Sequence, residues 1–203
     1  MAGDKPLIFT IGCSTHPLED FMALLSRHGI TAVADVRSQP YGRLEHFNRE
    51  SLSLALKAAG IRYVFLGRQL GARREEQECY DDGVALYERI AKLPAFHEGL
   101  ARLRRDAKEH RLAVMCAEKE PLDCHRTILV CRHLRGFGIQ ITHILADGGL
   151  EDHAVTEKRL VRQMHVTRTL FEPRLTDDEL VERAYDERAQ QIAYHADREE
   201  VAN

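Results

Sequence analysis

Met115-Cys116-Ala117-Glu118-Lys119-Glu120-Pro121-Leu122-Asp123-Cys124-His125-Arg126 follows directly on the apolar run Leu112-Ala113-Val114 and leads straight into the helix-like residues 127–134. An apolar run, a polar link with a proline and a resumed helical period spell strand, loop, helix. The stretch packs two thiols, an imidazole, a guanidinium and three carboxylates into twelve residues. Open α/β sheets hold their ligands in loops at the carboxyl ends of parallel strands, and a helix start adds unpaired N–H groups and positive potential. These residue types therefore read as chemistry rather than packing.

Four more short apolar runs, 7–11, 30–36, 61–66 and 139–145, have the length of buried strands. Between the runs lie helical periodicities: Leu18, Phe21, Leu24 and Leu25; Leu52, Ala55, Leu56 and Ala59; Leu86 to Leu103; then Ile128, Cys131 and Leu134. The alternation predicts an α/β fold, a single three-layer domain with a mostly parallel sheet of about five strands. Punctuation agrees: Pro17 suits a first helical turn, Asn48 an N-cap, Gly29, Gly60 and Gly136 helix stops, and Pro94 should divide the third helical stretch. Residues 67–83 lack apolar periodicity and are expected to form a long loop, a lid or a poorly ordered excursion. Residues 1–150 form the expected α/β domain, and 151–203 a charged helical C-terminal extension. In that extension Thr176-Asp177-Asp178-Glu179 matches a capping box, and residues 197–203 are expected to fray.

A chain of 203 residues holds one medium domain with a proper core and an appendage. No apolar run approaches bilayer-spanning length, and Met1 to Pro6 lacks the apolar stretch of a secretory signal, so a cytoplasmic location is expected. Cys13, Cys79, Cys116, Cys124 and Cys131 are an odd set without a disulfide scaffold, so reduced thiols are expected. Net charge is −3, shared as +2 over residues 1–150 and −5 over the rest, unlike the strongly basic balance of a general nucleic-acid binder. The sequence sets no oligomeric state.

In a parallel sheet the strand ends share one edge. There the first strand delivers Cys13, Ser14 and His16, the second Asp35 and Arg37 with Arg43 on the following loop, and the fourth Cys116, Glu118, Cys124, His125 and Arg126. Cys124 at a helix start beside Arg126 suits a nucleophilic thiolate, and a small packed residue is the plainer alternative. Cys116 ends a strand, where packing and reactivity serve equally. His125 or Glu118 is suited to carry a proton. Arg126, Arg37 and Arg43 suit a phosphate or carboxylate, with an internal ion pair to Asp35 the competing role, because Asp35 ends an apolar strand and would be costly to bury unpaired. Neither thiol has the five-residue spacing to an arginine that a tyrosine-phosphatase loop needs. Cys116, Cys124 and His125, with Cys13 or His16 as a further ligand, would suit zinc or iron by type, without the paired C-x-x-C spacing of structural zinc modules. The G-x-G-x-x-G of a dinucleotide site is absent after the first strand.

Thr10-Ile11-Gly12-Cys13-Ser14-Thr15-His16, Asp35-Val36-Arg37-Ser38-Gln39-Pro40, Gly60-Ile61-Arg62-Tyr63 and the run from Met115 to Arg126 together resemble the domain-of-unknown-function 488 (DUF488) family over about residues 7–150. The resemblance implies one compact α/β domain whose motifs fall on Cys13 to His16, Asp35, Arg37, Arg43, Cys116, Glu118, Cys124, His125 and Arg126. The chain departs from the family at Gly42, where serine is common, and at Leu70-Gly71-Ala72, where the family has Gly-Gly. Some members carry a DNA-repair label, and no reaction comes with the resemblance. The residues point first to an enzyme acting on a small anionic, phosphate-bearing or nucleotide-like substrate. In that reading Cys124, His125, Glu118 and Cys116 do the chemistry, and Arg126, Arg37, Arg43, Asp35, Cys13, Ser14 and His16 bind. A nucleic-acid module, suggested by Arg102-Leu103-Arg104-Arg105, by Lys158-Arg159 with Arg162 and by the arginines of residues 62–74, and a Cys/His metal site are the alternatives.

Overall fold

The computed structural model describes residues 6–168 and 174–196; the expected fraying of 197–203 lies outside the described residues. Five parallel strands, β1 (Leu7–Gly12), β2 (Ala32–Asp35), β3 (Arg62–Phe65), β6 (Leu112–Cys116) and β7 (Gln140–Ile144), stand in the order β3-β2-β6-β1-β7, and β8 (Leu150–Asp152) adds antiparallel to β7. Helices α1 (Leu18–Arg27) and α2 (Arg49–Ala58) pack one face through Phe21, Leu25, Leu52 and Leu56. On the other face lie α3 (Gly67–Leu70), α4 (Tyr87–Ile90), α5 (Pro94–Glu109), the wide π-helical turns Arg126–Cys131 running into α6 (Arg132–Arg135), α7 (His153–Gln163) and α8 (Asp177–Ile192). This is a three-layer α/β fold. Among the described residues no helix is long and apolar enough to cross a membrane.

Side-chain alternation sorts the strands between the faces. Ile8, Ala32, Ala34, Leu112, Val114 and Cys116 join the α5 side, while Phe9, Ile11, Cys13, Val33, Ala113 and Met115 join the α1 side. The chain leaves β1 through α1 on one face and β6 through the 126–135 helix on the other. Neighbouring strands whose connections diverge in this way open a crevice at their carboxyl ends.

Several local expectations are corrected. Residues 67–83 are not a structureless loop: they carry α3, a 3-10 turn at Gln77–Cys79 and β4 (Tyr80–Asp81), which pairs with β5 (Val84–Ala85), and Cys79 is fully buried. Asn48 occupies the N-cap position of α2, but its Oδ1 accepts from the Gly42 N–H at 2.9 Å instead of capping the helix. α6 stops at Gly136 as expected, and the left-handed residue, Gly138 (φ 68°), follows two positions later. Pro94 divides its helical stretch as expected, standing in the first turn of α5, and the Thr176–Glu179 capping box forms.

The segment after residue 150 shares the core, contributing Leu160, Ala184 and Tyr185. A buried polar chain ties it down. With Glu157 ionised, the Tyr185 hydroxyl donates to it at 3.0 Å, His153 Nε2–H donates to Tyr185 at 3.1 Å, and His143 Nε2–H donates to His153 Nδ1 at 2.9 Å. Thr10 Oγ1 then donates to His143 Nδ1 at 2.7 Å, so each ring's tautomer is set by its neighbour. The chain links α8, α7, β7 and β1.

Candidate functional site

Cys116 ends β6 facing the α5 side, and the loop after it returns as a 3-10 turn, Pro121–Asp123. Arg126, fully buried, pins this loop by donating to the carbonyl oxygens of Glu118 and of Lys119, the latter at 3.2 Å. Gly12 lets the loop lie against β1, since a Cβ there would stand 1.9 Å from the Glu118 oxygen. From α8, Arg188 donates to the Leu122 oxygen at 3.0 Å and pairs with Asp123.

Cys124 starts the next helix. Its backbone is extended (φ −133°, ψ 138°), its carbonyl accepts from the amides of Thr127 and Ile128, and its Sγ accepts from the Arg126 N–H at 3.5 Å. These are the features of an N-cap, with sulfur in the place usually held by oxygen. His125 Nε2 donates to the Val36 carbonyl at 3.1 Å, which turns Nδ1 toward Cys116 Sγ at 3.5 Å. Burial works against a charge on Cys124, but the Cys116 thiol, then the Arg126 charge and His125, hold its pKa well below the usual thiol range. Cys116 moves the other way, raised by its hydrogen bond to Cys124 and by burial, and so keeps its proton. Burial lowers and the two sulfurs raise the Arg126 pKa, with a net upward result. Glu118, on the rim, is raised by partial desolvation and then by Cys124.

Cys116, Cys124 and His125 border a cleft of about 380 Å³, a size suited to a small molecule. Arg37, Ser38, Gln39 and Tyr41 from the end of β2 form one wall, Arg73 and Tyr87 another, and Ile192 and Tyr194 from the far end of the chain a third. Tyr194 is brought there as the segment adds to the β4–β5 hairpin: Ala85 N–H donates to the Tyr194 oxygen at 2.9 Å, and Val84 bridges His195. The Arg73 guanidinium lies over the Tyr194 ring at 4.6 Å.

The expected rim therefore divides. Cys116, Glu118, Cys124, His125 and Arg37 meet at the cleft. Arg126 stands behind it, its terminal nitrogens spent on loop carbonyls rather than exposed to a ligand. Asp35 faces the other side of the sheet, where Arg37 grips it with Nε at 2.9 Å and a terminal nitrogen at 2.7 Å, Tyr63 donates at 2.8 Å, and Arg37 also reaches the Phe47 carbonyl. The ion-pair role for Asp35 is thus the one realised. Desolvation opposes and Asp35 favours the Arg37 charge, which is raised overall. Cys13, behind the same wall, is pushed up to about 11 by burial, with Arg37 opposing. Ser14, in the left-handed region (φ 44°), donates its N–H to Ala117 O, and the His16 carbonyl accepts from His46. Arg43 is exposed on its loop, and neither it nor Cys13, Ser14 or His16 borders the cleft.

Sequence reasoning missed Tyr41, Tyr87, Arg188, Ile192 and Tyr194, and it considered Arg73 only among the basic residues of a nucleic-acid surface. Ser38 and Gln39 follow the Asp35-Val36-Arg37 motif and could have been found there, whereas nothing near Tyr194 signals that it meets Ala85 and Arg73. Residues 17–132 match the family model described as Domain of unknown function DUF488. No curated protein and no solved structure matches the chain.

Proposed function

The chain belongs to the DUF488 family, and because that membership prescribes no reaction, we propose from the site itself that it is an enzyme acting on a small anionic, phosphate-bearing or nucleotide-like molecule, with Cys124 as its attacking sulfur. The observation that carries this reading is the placement of Cys124: its sulfur caps a helix start on the floor of a cleft, beside the Cys116 and His125 side chains. Arg73 on the wall favours an anion, Arg37 being already paired with Asp35, and His125 or Glu118 carries the proton. Several of the basic residues behind the nucleic-acid alternative are engaged within the chain. Arg102 pairs with Asp106 on its own helix, Arg104 covers Phe137, and Arg159 bridges Glu120 and Glu151.

The test is competitive labelling. Iodoacetamide at neutral pH should modify Cys124 ahead of the other four cysteines, as read by peptide mass mapping, and inorganic phosphate or nucleoside monophosphates should slow it. Labelling that falls first on Cys13, Cys79 or Cys131, or that no anion in the panel slows, overturns the reading.

A further inference from the structure

We infer that Cys116, Cys124 and His125 also form a seat for a thiophilic divalent cation of the zinc class, whose occupancy slows the reaction of the Cys124 sulfur. Among the described residues these are the three metal-ligating side chains that converge: the two sulfurs and one ring nitrogen lie within 4.8 Å of one another. Tetrahedral zinc with ordinary bond lengths separates a sulfur from a nitrogen ligand by about 3.6 Å and two sulfurs by about 3.8 Å. The Cys116 sulfur and His125 Nδ1 already stand 3.5 Å apart. Closing the seat around an ion asks for a shift of about 1 Å or less at the remaining sulfur.

The surroundings suit ligation. Metal-binding imidazoles fix their ring by donating the second N–H to a carboxylate or carbonyl, and His125 does so to Val36 O, leaving Nδ1 aimed at the sulfurs. The ligands come from a strand end and a helix start, and Arg126 holds the loop between them by two carbonyls. The space the three share opens on the cleft, so a fourth position is left for water or an anion. Three protein ligands and one open position is the pattern of a reactive rather than a purely structural zinc site. Binding M²⁺ replaces the thiol proton on Cys116, which leaves to solvent, and both sulfurs then donate lone pairs to the metal. A sulfur that shares its charge with the metal attacks an electrophile more slowly. The seat follows from geometry alone, whereas the slowing rests on the reading of Cys124 as the reactive group.

The full-length protein, stripped with a chelator and freed of it, is titrated with Co²⁺ and then with Zn²⁺ against a competing indicator. One ion per chain with sulfur-to-cobalt charge-transfer absorption is expected. Cys116→Ser, Cys124→Ser and His125→Ala should each weaken zinc binding at least about 10-fold. One equivalent of Zn²⁺ should suppress iodoacetamide labelling of Cys124, and EDTA should restore it. No uptake at micromolar free Zn²⁺, a cobalt spectrum without sulfur charge transfer, or uptake unchanged in all three variants overturns the seat. The wild-type spectrum decides should a variant fail to fold. The two readings fail separately: zinc uptake by a protein whose metal-free Cys124 is inert removes the enzyme and keeps the seat, and selective Cys124 labelling without zinc uptake does the reverse.

Discussion

Acid should loosen the attachment of α7 and α8 to the sheet, and the amount can be worked from one histidine. His153 is buried between His143 and Tyr185, and burial, then the Arg135 charge, against a smaller upward pull from Asp152, lower its pKa from a histidine's ordinary 6.5 to about 4. His143 is lowered in the same direction, well below the ordinary histidine range, by burial and then by His153. A base whose folded pKa is depressed stabilises the fold above its unfolded pKa and loses that contribution as pH falls toward the folded value. The unfolded chain takes up the proton first. From 6.5 and about 4, His153 alone costs the fold about 1.4 kcal/mol at pH 5.5 and about 2.6 kcal/mol at pH 4.5, relative to the alkaline plateau. Glu157, raised mainly by burial, opposes this within the same window, so total stability against pH is a poor readout. The comparison that isolates the histidine is wild type against His153→Gln by urea unfolding at pH 8, 6.5, 5.5 and 4.5. Glutamine keeps an amide for polar contact and does not titrate. The variant starts less stable, and the gap should close by about 1.4 kcal/mol between pH 8 and pH 5.5. Parallel curves, with a constant gap, would refute the reasoning.

Gly12→Ala places a methyl 1.9 Å from the Glu118 oxygen, so the loop must be displaced; thermal unfolding should show a loss of about 2–3 kcal/mol, and an unchanged melting curve would show that the approach is looser than described. Arg126→Met strips the Glu118 and Lys119 carbonyls of their donor and removes the charge behind Cys124. It should cost about 2–4 kcal/mol in urea unfolding and slow Cys124 labelling, and a stable variant labelled at the wild-type rate would contradict the role assigned to the guanidinium.

The five parallel strands were legible because each is a short apolar run bounded by turn residues, with helices of regular period between them. What escaped was too short to carry a period. β8 has three residues and the β4–β5 pair two each, although Asp82-Gly83, with φ of 44° and 74°, is the dipeptide a tight hairpin turn favours. The division of the polar rim was hidden for another reason. Gly12 stands beside Cys116 in the β1–β6 register, so Cys13 points to the opposite face, and Asp35 shares that face by the same alternation. The alternation is in the sequence. The register that relates one strand to the next is not.

The C-terminal segment shows why the thiol loop could be found in the sequence while its cleft could not. α8 carries three contacts at roughly helical spacing: Tyr185 joins the buried histidine chain, Arg188 holds Leu122 and Asp123 of the thiol loop, and Ile192 reaches the cleft wall ahead of Tyr194. One rigid element thus bears on the polar lock, the loop and the wall together. Its docking depends on His153, Glu157 and Tyr185 finding one another across two helices, a contact that no local pattern announces. A weakening of that lock is felt at the cleft because Arg188 and Ile192 lie one and two turns further along the same helix. The Cys116–Arg126 stretch supplies the chemistry, and α8 supplies the enclosure that makes a cleft of it.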